Sequence, residues 1–153
     1  MALDTDWAYA AGVIDSDGCI GIGKEAKTNR LYPYYFRVNI RVAQTELGAL
    51  VWFKETFGGN VYRQNQPTEE RPKICYCWQS RKRSAIEPFL NGILPYLKIK
   101  KVQAETCLNF YKHVINHRPG RNIPIAERQA QEILCEKAQE LNTCHKNNRR
   151  FLQ

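Results

Sequence analysis

Two aspartates separated by one residue, Asp15 and Asp17, end a short apolar segment and carry the carboxylates best placed in this sequence for metal or acid–base chemistry. Residues 7–14, which precede them, are compatible with a helix. Gly12, together with Ala8 and Ala11, gives that helix a face with almost no side chain. A helix face that carries almost no side chain lets a second backbone approach closely.

The composition indicates a basic domain. The chain has 153 residues, of which 43% are apolar and 25% charged, with a net charge of +8. This length supports one domain with a core, so we predict a single domain over residues 1–153. Small domains of this charge bind nucleic acids or anionic membrane surfaces. No apolar run approaches membrane-spanning length and no N-terminal targeting pattern is visible, so we expect no membrane partner.

Hydrophobic periodicity predicts an α/β chain with the element order α-β-β-α-β-β-α-α-α. Strands are predicted over 19–27, 34–43, 61–66 and 73–81, and helices over 7–14, 45–57, 83–95, within 96–116 and over 123–141. Each strand has one apolar and one polar-basic face. We therefore predict a four-stranded antiparallel sheet with helices on one face and with solvent or a polyanion on the other.

The polar face of this sheet is rich in basic and amide side chains. In the second strand, Arg37, Asn39 and Arg41 alternate with apolar residues. The other strands and turns add Lys24, Lys27, Arg30, Arg63, Gln64, Asn65, Lys73, Gln79 and Arg81. A merely solvated face, which is the alternative, mixes both signs of charge. Because these side chains neutralise phosphates and read base edges in the major groove, the pattern predicts nucleic-acid binding.

A carboxylate beside a polyanion is repelled unless it holds a cation. Asp15 has a simple alternative role as a residue of the turn that ends the helix, whereas Asp17 fits that role less well. Mg²⁺ takes one or two carboxylates together with phosphate oxygens and water. Such a site supports phosphodiester hydrolysis. One such carboxylate in each chain is too few to cut two strands, so two copies must meet, and the small-residue face of the first helix provides a means.

The cysteines and histidines indicate no other metal chemistry. The six cysteines include no Cys-x-x-Cys pair, and without a signal peptide a disulfide framework is not expected. His113 and His117 are four residues apart, but Val114 stands where the zinc-protease motif requires glutamate. We expect partly buried thiols, surface histidines and no zinc.

The segment AAGVIDSDG, residues 10–18, resembles the signature of the LAGLIDADG homing endonucleases. The match is carried by Ala11, Gly12, Asp15, Asp17 and Gly18. Two further stretches typical of that family are VAQT, after the second strand, and PYLKIKKVQA at residues 95–104. The resemblance extends over most of the chain, from about residue 7 to residue 142. Because the signature occurs once, the chain is similar to the single-motif, homodimeric branch.

The resemblance implies roles for the matching residues. Asp17 binds Mg²⁺ beside its twin from the partner chain, with the Ser16 carbonyl as a second protein ligand, and Mn²⁺ or Ca²⁺ can occupy the same sites. Gln44 orients the water network, and Lys100 acts near the scissile phosphate. Some relatives carry a basic residue where this chain has Gly48. The dimer interface is expected to include Ala8, Ala11, Gly12 and Asp15.

The resemblance also implies the activity, which is site-specific cleavage of double-stranded DNA in intron homing. The homodimer is expected to bind a nearly palindromic site of roughly 20 base pairs. It is expected to cut across the minor groove and to leave 3′ overhangs, without a small-molecule cofactor. The residues expected to contact DNA are Lys24, Lys27, Arg30, Arg37, Asn39, Arg41, Arg63, Asn65, Lys73, Cys77, Gln79, Arg81, His145 and Lys146.

Two alternatives and the location of the protein stay open at this point. An RNA maturase on the same fold would bind a nucleic acid with little or no cleavage, and a regulator would use the sheet only to bind DNA. Since no targeting segment is visible, we expect an intracellular protein, made beside its target DNA in an organelle or a prokaryotic cell.

Overall fold

The computed structural model describes residues 2–26, 34–70, 72–114 and 123–148, with side chains described as far as residue 143. Within these residues the helices are α1 (Asp4–Asp17), α2 (Leu47–Phe57), α3 (Arg83–Ile93), α4 (Lys101–Lys112) and α5 (Ile125–Asn148). The strands are β1 (Gly18–Ala26), β2 (Tyr34–Gln44), β3 (Asn60–Arg63) and β4 (Tyr76–Ser80). The predicted element order and the four-stranded antiparallel sheet are confirmed.

The strands follow the order β1-β2-β4-β3 in the sheet. β4 is antiparallel to both β2 and β3, with Val42 opposite Trp78 and Val61 opposite the same tryptophan. The chain divides into two compact units. The first consists of Met1–Ile20 and Asn39–Lys101, and the second consists of Gly21–Val38 and Val102–Gln153. None of the described helices is both long enough and apolar enough to cross a bilayer.

Helix α1 begins and ends at recognisable signals. The Leu3 N–H donates to the Asp6 carboxylate at 2.8 Å, so the helix starts slightly earlier than predicted and Asp6 caps its first turn. At the other end, the Gly18 N–H donates to the Ile14 carbonyl. A Cβ at Gly18 would lie 2.7 Å from the Ile14 backbone, so only glycine allows the chain to leave α1 directly into β1.

Aromatic side chains form the core of the first unit. Trp7 of α1 and Phe89 of α3 both pack on Phe57 of α2, with ring centroids 4.9 and 5.0 Å away. Trp78 of β4 lies 5.0 Å from Phe53 and donates its indole N–H to the Gly58 carbonyl at 2.7 Å. Aromatic pairs at these distances add to the stabilisation from their buried area. The core therefore fixes the helix that carries Asp15 and Asp17.

In the second unit, helix α5 is tied to β1 and β2 by a charged and aromatic cluster. The Lys24 ammonium lies 3.5 Å from the Glu132 carboxylate and 3.6 Å from the centre of the Tyr34 ring. The Arg128 guanidinium lies 4.4 Å from the same ring. The Cys135 thiol, which donates to the Ile22 carbonyl, is buried, and that burial raises its pKa above the ordinary value. This thiol is therefore a packing group.

Strands β3 and β4 are shorter than predicted because an asparagine side chain takes over from the backbone ladder. The Asn65 carboxamide accepts the Cys75 N–H at 2.6 Å and donates to the Lys73 carbonyl at 3.1 Å. The backbone carbonyl of Asn65 accepts a hydrogen bond from the Arg63 guanidinium. A side-chain amide that imitates a peptide group ends the regular pairing while leaving the backbone groups satisfied. Asn65 is thus a structural bridge in this protein.

Candidate active site and nucleic-acid interface

The ends of α1 and β2 bring Asp17 and Gln44 together. The Gln44 amide N–H donates to the Asp17 carboxylate at 2.9 Å. Both side chains line an open depression of about 420 Å³. A carboxylate has about four lone-pair sites, so one donor fixes its orientation and leaves capacity for further partners. Two of the residues predicted to do chemistry therefore meet, although 27 positions separate them in the chain.

Asp15 has a different environment from Asp17. Its carboxylate accepts the backbone N–H groups of Lys98, Ile99 and Lys100, at 2.7, 3.2 and 2.9 Å respectively. A carboxylate that is engaged by three backbone donors is held rigidly and is poorly suited to bind a cation as well. Asp15 therefore ties the last turn of α1 to residues 98–100.

Lys100 completes this connection in the opposite direction. Its ammonium group donates to the Ile14 carbonyl at 2.7 Å and to the Asp15 carbonyl at 2.6 Å, and the residue is only 8% exposed. A buried ammonium needs such acceptors to offset its lost hydration. The C-terminal end of a helix also carries a partial negative charge, which favours a cation there. We call Asp15, Lys100 and these bonds the α1 clamp.

The donors at the end of α1 fit a small divalent cation. The Asp17 carboxylate is exposed at the rim of the depression. Ser16 is the preceding residue, and its carbonyl belongs to the helix turn whose carbonyls bind groups outside the helix. Carboxylate and carbonyl oxygens are the ligands that Mg²⁺ and Ca²⁺ prefer. None of the residues in the last turn of α1 is itself basic, and the Lys100 ammonium binds the carbonyls of Ile14 and Asp15.

One face of α1 is exposed and nearly free of side chains. Ala8 and Gly12, one turn apart, are both exposed, and no described atom comes within 4 Å of a Cβ built at Gly12. The expectation that Ala11 shares this face was wrong, because Ala11 is fully buried inside the protomer. The exposed strip thus consists of Ala8, Gly12 and the residues in line with them, with Asp15 at its end engaged in the α1 clamp.

On the open face of the first unit, cross-strand pairing aligns several predicted DNA-contacting residues. Arg41 stands opposite Gln79, so both project from the same face. Tyr62 stands opposite Cys77 on that face. A hydrogen bond with the Cys77 thiol and partial burial raise the pKa of the Tyr62 phenol, while the charges of Arg41 and Arg81 oppose that rise. The phenol is therefore neutral at pH 7 and able to donate.

Three predicted DNA contacts are placed differently from expectation. Cys77 lies on the expected face but is only 1% exposed, so Tyr62, at 44% exposure, is the group presented there. Lys24 points to the same face of β1 as Ile20 and Ile22, which is the apolar face, and it forms an ion pair with Glu132. Arg63 stands opposite Tyr76 and therefore has the parity of the core face, although its side chain is exposed.

The remaining predicted contacts divide by location. Lys73 and Arg81 are exposed just outside the two ends of β4, and Arg37 and Asn39 are half-buried on β2. Lys27 and Arg30 lie outside the described residues, as do the side chains of His145 and Lys146. DNA contact by any of these residues stays a prediction.

Four residues that line the depression beside Asp17 and Gln44 were not among the predicted site residues. They are Ala43, Thr45, Glu46 and Cys75. Glu46 precedes α2, and its carboxylate accepts the Gly48 N–H at 3.1 Å, so it acts as the N-cap of that helix. Glu46 lies at the start of the predicted helix over residues 45–57 and two residues after Gln44. This position was a signal in the sequence that could have identified it as a residue of the site.

Comparisons with known proteins agree with the signature and the fold. No protein-family profile matches the chain. The DNA endonuclease I-CvuI of Chlorella vulgaris is 29% identical over 113 residues, which span 72% of this chain and 66%, slightly under two thirds, of that protein. A crystal structure of I-CvuI in complex with DNA has a TM-score of 0.77 and 25% identity over 90% of this chain and 83% of that chain.

Two more distant structures share the fold. The homing endonuclease I-TnaI has a TM-score of 0.70 at 18% identity, over 96% of this chain and 99% of that one. The LAGLIDADG homing endonuclease I-SmaMI, bound to cleaved DNA, has a TM-score of 0.67 at 13% identity, over 88% of this chain and 43% of that one. These likenesses show that the chain has the fold of the LAGLIDADG homing endonucleases, and its nine-residue signature, with the placement of its two aspartates, resembles that of the same family.

Proposed function

We propose that this protein is a site-specific double-strand DNA endonuclease that acts as a homodimer with Mg²⁺. The observation that carries the proposal is the hydrogen-bonded pair of Asp17 and Gln44, at the open end of a helix whose exposed strip is nearly free of side chains. The relative I-CvuI has been crystallised with DNA in the presence of Mg and of Ca. The proposed target is a nearly palindromic site of roughly 20 base pairs, cut across the minor groove to leave 3′ overhangs.

The chain's own residues would prepare the reaction. Asp17 and the Ser16 carbonyl would hold the cation, which when bound activates water and stabilises the leaving oxygen. Gln44 orients the Asp17 carboxylate through its amide N–H. The α1 clamp keeps the last helical turn, and with it Asp17, in place. Arg41 and Gln79, on the open face, would contact the bases of the major groove.

Selection of cleaved molecules from a randomised DNA library tests the proposal. With Mg²⁺ the protein should enrich one family of two-fold symmetric sequences with 3′ overhangs, and with a chelator it should cut none. Enrichment by binding without any cutting would contradict the endonuclease proposal and favour a regulator. The same result together with help to RNA splicing would favour a maturase.

The homodimer makes a separate prediction at Gly12. Gly12→Ala should raise the dimer dissociation constant by roughly 10-fold, because two added Cβ atoms separate helices that would otherwise pack backbone on backbone. The protomer itself should gain up to about 1 kcal/mol of helix stability, since no described atom is near that Cβ. Sedimentation equilibrium over a range of concentrations measures the first effect, and thermal unfolding of the dissociated chain measures the second.

Gly48→Ala is the matched control, because it makes the same change in α2, away from the strip. It should leave association unchanged. If wild-type protein stays monomeric even on its selected DNA, or if Gly12→Ala associates as tightly as wild type, the proposed interface is refuted.

A further inference from the structure

Glu25, Tyr35 and Arg37 form a cluster on the open side of β1 and β2. The Glu25 carboxylate accepts a hydrogen bond from the Tyr35 hydroxyl group and lies 3.6 Å from the Arg37 guanidinium. That guanidinium also lies 5.1 Å from the centre of the Tyr35 ring. Tyr35 and Arg37 have the strand parity opposite to buried Val38, so the cluster belongs to the face that the proposed function assigns to DNA.

A carboxylate in this position calls for an explanation. It reduces the attraction of the face for phosphates, and an ion pair this exposed contributes little to stability. The Arg37 and Glu25 side chains are 38% and 25% exposed. What the cluster does provide is orientation, because a carboxylate lies near one nitrogen of the guanidinium and the Tyr35 ring lies under its central carbon. A planar guanidinium has five N–H donors, so it can bind the carboxylate and another group together.

We infer that this cluster reads one guanine–cytosine pair in each half of the DNA target. Arg37 donates to the O6 and N7 acceptors of guanine, which is the most common specific contact in the major groove. Glu25 and Tyr35 are positioning residues that hold Arg37 toward the base. Because Glu25 offsets the charge of Arg37, the cluster contributes to base choice more than to general attraction for the phosphate backbone. The inference rests on the proposed DNA-binding function.

The test compares base preferences on a randomised target library for wild type, Arg37→Lys, Glu25→Gln and Tyr35→Phe. Wild type should require guanine at one pair of symmetry-related positions. Arg37→Lys should reduce that preference by on the order of 10-fold. Glu25→Gln should relax the same position, and Tyr35→Phe should relax it to a smaller extent. Arg41→Lys, the same change two pleats along β2, is the control and should leave this position unchanged.

Salt dependence gives a second readout that a purely structural role would not move. In Glu25→Gln, no carboxylate offsets the positive charge of Arg37, so its guanidinium should contact a DNA phosphate. The slope of log affinity against log salt concentration should therefore steepen by about 0.9 per subunit. The double variant that combines Arg37→Lys with Glu25→Gln should lose the base preference and keep the steeper slope. If all variants keep the wild-type preference, or relax unrelated positions, the inference fails while the endonuclease proposal stands. A protein that selects no DNA refutes both.

Discussion

Asp17→Asn is expected to abolish strand cleavage while DNA binding is retained. The amide is isosteric with the carboxylate and can still accept the Gln44 N–H, which is 2.9 Å away in the wild type. It lacks the charge with which Asp17 would hold the proposed divalent cation, and loss of that cation would remove several kcal/mol of stabilisation from the transition state. We therefore expect the rate of cleavage to fall by at least about 10³-fold. Linearisation of a plasmid that carries the selected site measures it.

Binding should change in the opposite direction from cleavage. Asp17→Asn leaves one negative charge fewer per subunit beside the DNA phosphates, so affinity measured without a divalent cation should equal or exceed that of the wild type. Glu46→Gln is the matched control, because it removes an equal charge from the same depression. Since the Glu46 carboxylate caps α2, we expect it to change cleavage less than about 10-fold. If Asp17→Asn instead cuts at a rate close to that of Glu46→Gln, Asp17 does not hold the metal.

The elements with one buried face were predictable from the sequence. In β2, Val38, Ile40 and Val42 alternate strictly with polar residues, and the structure buries all three. That alternation specifies which way every other residue of the strand points, because a shift by one position would expose the whole apolar set. The order of helices and strands followed from the same periodicity and from the glycines that punctuate it.

The features that could not be predicted depend on partners distant in the chain. Strand β1 has glycines among its residues, so its alternation of apolar and polar side chains is weak, and the prediction for Lys24 depended on its charge alone. The structure places Lys24 on the apolar face, where it pairs with Glu132. Small size does not distinguish a buried helix position from an exposed one, which is why Ala11 was misplaced. The Asn65 bridge and the α1 clamp use side chains as substitutes for backbone partners, and periodicity carries no signal for such bonds.

The α1 clamp makes Lys100 a test of whether the site depends on a rigid helix end. Lys100→Met keeps the length of the side chain but leaves the Ile14 and Asp15 carbonyls without their charged donor. Because the residue is buried, we expect the free energy of unfolding to fall by about 3 kcal/mol in the absence of DNA. A displaced Asp17 should also lower the rate of cleavage by about 100-fold, since errors of position near 1 Å have effects of that size. Urea unfolding and plasmid cleavage measure the two effects.

Lys98→Met is the control, since Lys98 is exposed and meets the clamp only through its backbone N–H. It should retain wild-type stability and cut at a rate within a few-fold of wild type. If Lys100 instead acted only on the scissile phosphate, Lys100→Met would lose cleavage and keep the full stability of the free protein. That outcome would reject the clamp as the role of Lys100, because a charge that serves only bound DNA has no effect on unfolding when DNA is absent. A loss of both, specific to Lys100, would mean that Lys100 acts in cleavage by holding the helix that carries Asp17, the proposed metal ligand.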